Sequence, residues 1–92
     1  MAKAQRDWLL VTVSTPGARN SAERVYAWRA LRRLGAHYLH QSVCLLPASV
    51  TTTPAIGRLV AHLERRGAYG EVFRIRLTDR EQEEAMIERF QA

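Results

Sequence analysis

Short apolar runs and helical apolar stripes alternate along this chain, and together they predict a mixed α and β architecture. Trp8–Ser14 is a compact apolar run with β-branched residues that is too short for a helix, which predicts a buried central strand. A helix capped by Asn20 or Ser21 follows, and Gly35 is its predicted left-handed stop. The arc of this helix that is expected to pack on a sheet consists of Ala27, Trp28, Leu31 and Leu34.

The middle of the chain predicts a hairpin and a second amphipathic helix. His37–Gln41 and Val43–Leu46 are the two predicted strands of the hairpin, with the turn at Gln41-Ser42. Pro54 suits the first turn of the following helix, and Gly67 is predicted to close it. The apolar stripe of this helix consists of Ile56, Leu59, Val60 and Leu63.

The last quarter of the chain predicts a strand and an acidic helix. Val72–Leu77 alternates between apolar and polar residues, as a half-buried strand does. Thr78 and Glu81 have the spacing of a capping box, which predicts a last helix over about 79–91. The stripe by which this helix would dock consists of Met86, Ile87 and Phe90. We expect it to act as a lid or as a partner-docking element.

The resulting order, β-α-β-β-α-β followed by a helix, is that of an α+β, ferredoxin-like fold. We therefore expect a single domain over residues 1–92, with two helices on one face of a four-stranded antiparallel sheet. The first and third strands are the most apolar, which places them in the centre of this sheet.

Alternation along the strands divides the predicted sheet into a face covered by the two helices and an open face. The residues expected on the covered face are Leu9, Val11, Val13, Phe73, Ile75 and Leu77. Those expected on the open face are Trp8, Leu10, Thr12, Val72, Arg74 and Arg76. A face of this mixed apolar and basic kind predicts a homodimer. The predicted core or dimer anchors are Trp8, Leu10, Trp28 and Cys44.

Charge changes the picture, because the net charge of +5 is spread unevenly. Residues 1–78 carry a net +8, almost all from arginine, whereas residues 79–92 carry −3. Arginine suits bidentate contacts to phosphate, so DNA or RNA is a predicted partner, with a solvated helix face as the alternative. Arg74 and Arg76 either extend the basic surface or pair with acids of the last helix, such as Glu81, Glu84 and Glu88. The predicted nucleic-acid-binding residues are Tyr26, Arg29, Arg32, Arg33, Arg74 and Arg76.

Candidate chemistry is sparse, and we predict no catalytic residue, no metal site and no cofactor. His37 and His40 are three residues apart, so on a regular strand they face opposite sides. His40 and Cys44 could meet across the hairpin, but two ligands are too few for zinc. The single cysteine fits a reducing compartment, and no apolar run approaches the length of a membrane span, so we expect a cytoplasmic protein without membrane contact.

Two segments of the chain, WLLVTVSTP and RVYAWRALRRLGAHYLHQSVCLLPAS, resemble the N-terminal domain family of the ChrB-type chromate-resistance regulators. The more specific signal is WRAL-x-x-LGA. The matching positions are Trp8, Leu9, Leu10, Val13, Ser14, Pro16, Trp28, Arg29, Ala30, Leu31, Leu34, Gly35, Ala36, Val43, Leu45, Leu46 and Pro47. The resemblance implies a ferredoxin-like fold related to the small CRISPR spacer-acquisition subunit, and a dimer that contacts nucleic acid. Full regulators of this type carry a further C-terminal domain, so the resemblance implies either a stand-alone module or one that acts with a further domain or partner protein.

We therefore expect a non-catalytic, dimeric regulatory module of the chromate-resistance type that binds nucleic-acid backbone through its arginines. One alternative is an interaction module that dimerises without binding nucleic acid. The other is a metal-dependent nuclease of the kind the CRISPR resemblance implies. In that kind an aspartate at the end of the first strand holds the metal, whereas Val13, Ser14 and Thr15 stand there in this chain, and hydroxyls alone do not hold Mg²⁺.

Overall fold

The computed structural model describes residues 6–15 and 21–91, and it has the predicted order of strands and helices. The strands are β1 (Trp8–Ser14), β2 (His37–His40), β3 (Val43–Pro47) and β4 (Tyr69–Ile75). The helices are α1 (Ser21–Arg33), α2 (Thr52–Arg65) and α3 (Arg80–Gln91). The strands form one antiparallel sheet in the order β2-β3-β1-β4. This is the predicted ferredoxin-like arrangement, with β1 and β3 in the centre.

The first face of the sheet, which α1 and α2 cover, holds the main hydrophobic core. Leu9 and Val11 of β1 are almost fully buried there, as predicted. The other buried members of this core are Ala27, Leu31, Cys44, Leu46, Ile56, Leu59, Leu63 and Ala68. Both helices therefore dock through the apolar stripes that the sequence predicts, except at Trp28.

The two helices on this face end where the sequence predicts. Gly35 and Gly67 each have φ of +81°, a left-handed conformation that glycine adopts without steric cost. The N–H of Ala36 donates to the carbonyl of Leu31 at 3.0 Å, and that of Ala68 donates to the carbonyl of Leu63 at 2.9 Å. These bonds satisfy carbonyls that a helix end leaves unpaired. Of the two predicted caps of α1, Asn20 and the side chain of Ser21 lie outside what the structure describes.

The cap of α3 differs by one residue from the predicted capping box of Thr78 and Glu81. The N–H of Gln82 donates to Oδ1 of Asp79 at 2.8 Å, so Asp79 is the capping side chain. The Gln82 side chain reaches back and accepts from the N–H of Thr78 at 2.9 Å. Asp79 and Gln82 have the same three-residue spacing as the predicted pair, which is why the pattern placed the box one residue early.

Strand β4 corrects the predicted assignment of side chains to faces. Its register pairs Leu10 with Phe73 and Trp8 with Ile75, so Phe73 and Ile75 lie on the second face, away from α1 and α2. Val72 and Arg74 register instead with Val11 and Leu9 on the first face. The strand also begins at Tyr69 and ends at Ile75, so Arg76 and Leu77 follow it. Gly70 explains the earlier start, because its missing side chain lets Val60 and Leu63 of α2 approach β4.

Helix α3 covers part of the second face, so the prediction that this face is bare is wrong at one end. Trp8 is fully buried there, and its indole N–H donates to Oε2 of Glu83 at 3.1 Å. Leu45 of β3 is also almost fully buried on this face. The other end remains uncovered, since the side chains of Phe73 and Tyr69 are 46% and 59% exposed. Met86 and Ile87 of the predicted docking stripe are half-buried, and the Phe90 side chain lies outside the described residues.

The hairpin turns at Gln41-Ser42 as predicted, but β2 is irregular. Its register shifts between Tyr38 and His40, so that His37 pairs with Leu45 and His40 with Val43. An extra residue in one strand changes which face the following side chain occupies. Both histidines therefore register with the second face, and the prediction that they face opposite sides is wrong.

Candidate nucleic-acid interface

Helix α1 presents its predicted arginines to solvent. Arg29, Arg32 and Arg33 are exposed, while Ala27 and Leu31 on the other side of the helix are buried in the core. None of the three arginines forms a salt bridge with any residue that the structure describes. Their charges are therefore available to an external anion.

Trp28 is half-exposed beside these arginines, which corrects the prediction that it is buried. It lies 100° around the helix from Ala27, toward the edge of the sheet that the short strand β2 forms. The guanidinium carbon of Arg32 lies 4.9 Å from the centre of the Trp28 ring, a cation–π contact. Arg32 remains exposed in this contact, so its guanidinium can still donate hydrogen bonds.

Tyr26 joins α1 to α2 on the outer surface of the helical layer. Its ring stacks on the imidazole of His62, with centroids 4.0 Å apart and planes inclined by 19°. Arg58 lies one turn before His62 on the same face of α2, and Arg66 is the C-cap residue directly after the helix; both arginines are exposed. Sequence reasoning missed this contribution from α2, although the regular spacing of Arg58, His62 and Arg66 could have revealed it. The outer surface of α1 and α2 is therefore basic on both sides of a stacked aromatic pair.

Arg74 and Arg76 lie elsewhere and have an acidic partner. Nη1 of Arg74 is 3.2 Å from Oδ2 of Asp7, and Nε of Arg76 is 3.2 Å from Oδ1 of the same carboxylate. The hydrogen bonds from Arg76 and Arg74 lower the pKa of Asp7, and the bond from Arg76 has the larger effect. Helix α2 packs on β4 and α1 packs beside α2, so α2 separates these two arginines from those of α1. The predicted basic residues thus form two groups, and the predicted pairing with Glu81, Glu84 or Glu88 is replaced by pairing with Asp7.

The end of β1 carries hydroxyl and guanidinium groups. Nε of Arg24 donates to Oγ1 of Thr15 at 3.2 Å, beside a cleft that Ser14, Trp28 and Tyr38 also line. Arg24 therefore pairs with a hydroxyl at the end of the central strand β1. Among residues 6–15 and 21–91, no three His, Cys, Asp or Glu side chains are grouped as metal ligands would be.

Cys44 lies in the core of the first face, and its neighbour there is Tyr38. The two residues are paired in the register of β2 and β3, and burial raises the pKa of the thiol. Burial raises the pKa of Tyr38 as well. A protonated, buried thiol is a poor nucleophile, and it cannot meet His40, which registers with the opposite face. Of the predicted anchors, Cys44 belongs to the first face, Trp8 and Leu10 to the second, and Trp28 to neither.

The family comparison adds an independent observation to this geometry. The model of a family described as "Protein ChrB, N-terminal" matches residues 24–92, which include most of α1, both hairpin strands, α2, β4 and α3. No curated protein and no solved structure matches the chain. None of the described helices combines the length and the hydropathy needed to cross a bilayer.

Proposed function

Because the chain belongs to the ChrB N-terminal family and is a domain of the chromate-resistance regulator type, we propose that it is a non-catalytic regulatory module that binds nucleic-acid backbone. The observation that carries this proposal is the outer surface of α1. Arg29, Arg32 and Arg33 are exposed there without a described acidic partner. Arginine side chains in such a state release counterions from a phosphate backbone when they bind it.

Helix α2 extends the proposed surface. Arg58 and Arg66 continue it beyond the stacked rings of Tyr26 and His62. The exposed edges of these rings offer contact to sugars and bases, while the arginines contact phosphates. Binding of this kind depends on charge and shape, so we expect little preference for base sequence.

A salt-dependent binding assay tests the proposal. Fluorescence anisotropy with a labelled duplex should show binding at ~50 mM salt that weakens steeply as salt is added. The variant Arg29→Gln/Arg33→Gln should reduce the slope of log K against log salt by about 2, because each lost phosphate contact removes about one released counterion.

The matched control removes the same amount of charge from the other basic group. Arg74→Gln/Arg76→Gln should affect affinity less, because Asp7 already partly neutralises these arginines. Absence of binding by the wild-type chain at low salt would refute the proposal. Equal losses in the two double variants would refute the assignment of the surface to α1.

We also propose that the uncovered end of the second face mediates homodimerisation. Phe73 and Tyr69 are exposed on this end, and exposed aromatic side chains on a sheet surface are suited to pairing with a second copy. Light scattering should give a dimer mass at tens of micromolar, and Phe73→Glu should give a monomer. Val50→Glu is the control, because Val50 is 94% exposed in the loop before α2 and should leave the dimer intact. A monomeric wild-type chain would contradict this proposal.

A further inference from the structure

A cleft opens between α1 and the end of the sheet where β1 stops and the hairpin turns. It has a volume of about 790 Å³, which is within the range of pockets that hold small organic ligands. Helix α1 contributes Val25 and Trp28 to its lining, and the strands contribute Val13 and Tyr38. The cleft is therefore built from three separate elements, and part of its wall is apolar and aromatic.

Two hydrogen bonds connect the walls of this cleft to the end of β1. The N–H of Val13 donates to the carbonyl of Ser42 at 3.0 Å, which holds the hairpin turn against the strand. Nε of Arg24 donates to Oγ1 of Thr15 at 3.2 Å, which connects the beginning of α1 to the same strand. Both walls are thus attached to one strand end, so the cleft is largely formed before a ligand binds.

Trp28 offers an aromatic surface to the cleft. Its side chain is 46% exposed, although tryptophan is the largest apolar side chain of α1. Arg32 contacts one side of the ring, yet it is not among the described residues that line the cleft. Another side of the ring therefore borders the cleft and is accessible to a ligand. A flat aromatic surface of this kind favours stacking with a planar ligand.

The rim of the cleft is polar and almost entirely neutral. Ser14, Thr15, Gln41 and Ser42 supply three hydroxyl groups and one primary amide, and each of these groups can donate and accept hydrogen bonds. Among the described residues that line the cleft, Arg24 is the one that carries a charge. An aromatic wall beside neutral donors and acceptors is the combination with which proteins recognise unpaired nucleobases.

We propose that this cleft binds a nucleobase, which stacks on Trp28 and is hydrogen-bonded at its edge by Gln41. A primary amide can donate to and accept from one base edge at the same time, as it does with N7 and the N6 amino group of adenine. A duplex keeps its bases stacked inside, so the ligand is either a free nucleoside or an unpaired base of a strand. In the second case the inference rests on the proposed nucleic-acid surface, because Arg29 and Arg32 lie beside Trp28 on α1 and would contact the adjoining phosphates.

Titration with adenosine, followed by NMR, tests the cleft directly. The chain has two tryptophans, and the indole N–H of Trp28 should shift saturably while that of buried Trp8 stays unchanged. Ribose, which lacks the base, should shift neither signal. Gln41→Ala should weaken adenosine binding about two- to tenfold, as expected for the loss of neutral hydrogen bonds. Trp28→Leu should weaken it at least about fivefold through the loss of stacking, with the side-chain amide signals of Gln41 as the reporter.

Two controls accompany these variants. His40→Ala removes an exposed polar side chain next to Gln41 that registers with the opposite face of the sheet, and it should leave adenosine binding unchanged. The indole signal of Trp8, whose N–H donates to Glu83, reports whether each variant is folded. Shifts that do not saturate, equal shifts with ribose, or an adenosine affinity that either substitution in the cleft leaves unchanged would overturn the inference.

The same variants distinguish an unpaired base of a strand from a free nucleoside. If Gln41→Ala also weakens binding of a single-stranded adenine oligonucleotide and leaves duplex binding unchanged, the cleft is a base subsite of the nucleic-acid surface. If it weakens only adenosine binding, the ligand is a free nucleoside, and the site stands whether or not the chain binds nucleic acid. Duplex binding that needs Arg29 and Arg33, without any saturable adenosine binding, would refute the cleft alone.

Discussion

The two faces of the sheet are covered by different means. On the first face, two helices bury one continuous apolar cluster that includes Leu31, Leu46 and Ile56. On the second face, only helix α3 covers Trp8 and Leu45 at one end. Among the side chains of α3 that the structure describes, Glu83 is the one that is buried. The other end of the second face leaves Phe73 half-exposed.

We therefore expect the first face to provide most of the stability and the second face to open more easily. A region with many buried apolar contacts opens only at a cost close to that of global unfolding, whereas a lightly packed helix opens at lower cost. Helix α3 can therefore leave the sheet without loss of the first core.

Two adjacent leucines of β3 offer the largest test of this comparison. Leu46 points into the first core and Leu45 lies on the second face, and both are almost fully buried. Leu46→Ala should lower the free energy of unfolding by about 2–5 kcal/mol, because it leaves a cavity among residues that cannot collapse into it. Leu45→Ala should cost clearly less, because α3 can shift to fill the space. Urea denaturation of the two variants measures both values.

The test is whether Leu46→Ala lowers the free energy of unfolding more than Leu45→Ala does. If Leu45→Ala destabilises the protein as much as Leu46→Ala does, α3 is as rigidly packed as α1 and α2. The contrast between the two faces would then be wrong.

A smaller effect is expected from the contact that fixes α3. Glu83→Ala leaves the buried indole N–H of Trp8 without its acceptor, which should cost about 1–3 kcal/mol. Hydrogen exchange should also become faster in α3 than in α1 or α2, because only α3 loses an anchor. Glu84→Ala is the matched control, since Glu84 is exposed and should change stability little. Uniform loss of protection in all three helices would contradict local release of α3.

Periodicity was sufficient for most of the helical layer on the first face. The apolar spacing of Ile56, Leu59 and Leu63 predicts how α2 docks, and Gly35 and Gly67 mark the ends of α1 and α2 correctly. These features follow from local geometry, in which spacing along one helix or the conformation of one residue decides the outcome. The fold class followed from the order of such elements.

The second face depends on contacts that no local pattern encodes. Alternation predicts correctly that Phe73 and Val72 lie on opposite faces of the sheet. Only the register with β1 decides which of the two lies beneath α2. The burial of Trp8 likewise depends on Glu83, which is 75 residues away in the chain. For the candidate site, helical periodicity predicted that the arginines of α1 face away from the core, but not the separation of Arg74 from them.

The smallest effect concerns Asp7, which joins β1 to β4 at the exposed edge of the sheet and belongs to neither buried face. The hydrogen bonds from Arg76 and Arg74 lower its pKa below the ordinary aspartate value of about 3.9. Folding is therefore favoured by this group above about pH 4, and the contribution is lost as the pH falls through the lowered pKa. Asp7→Asn should remove this part of the acid dependence of the urea midpoint, and added salt should diminish the difference because the ion pairs are exposed. Glu71→Gln, which neutralises an exposed acid of β4, is the control. An effect of Asp7→Asn at pH 7 as large as that of Leu46→Ala would show that the edge, and not the first face, dominates the stability of this fold.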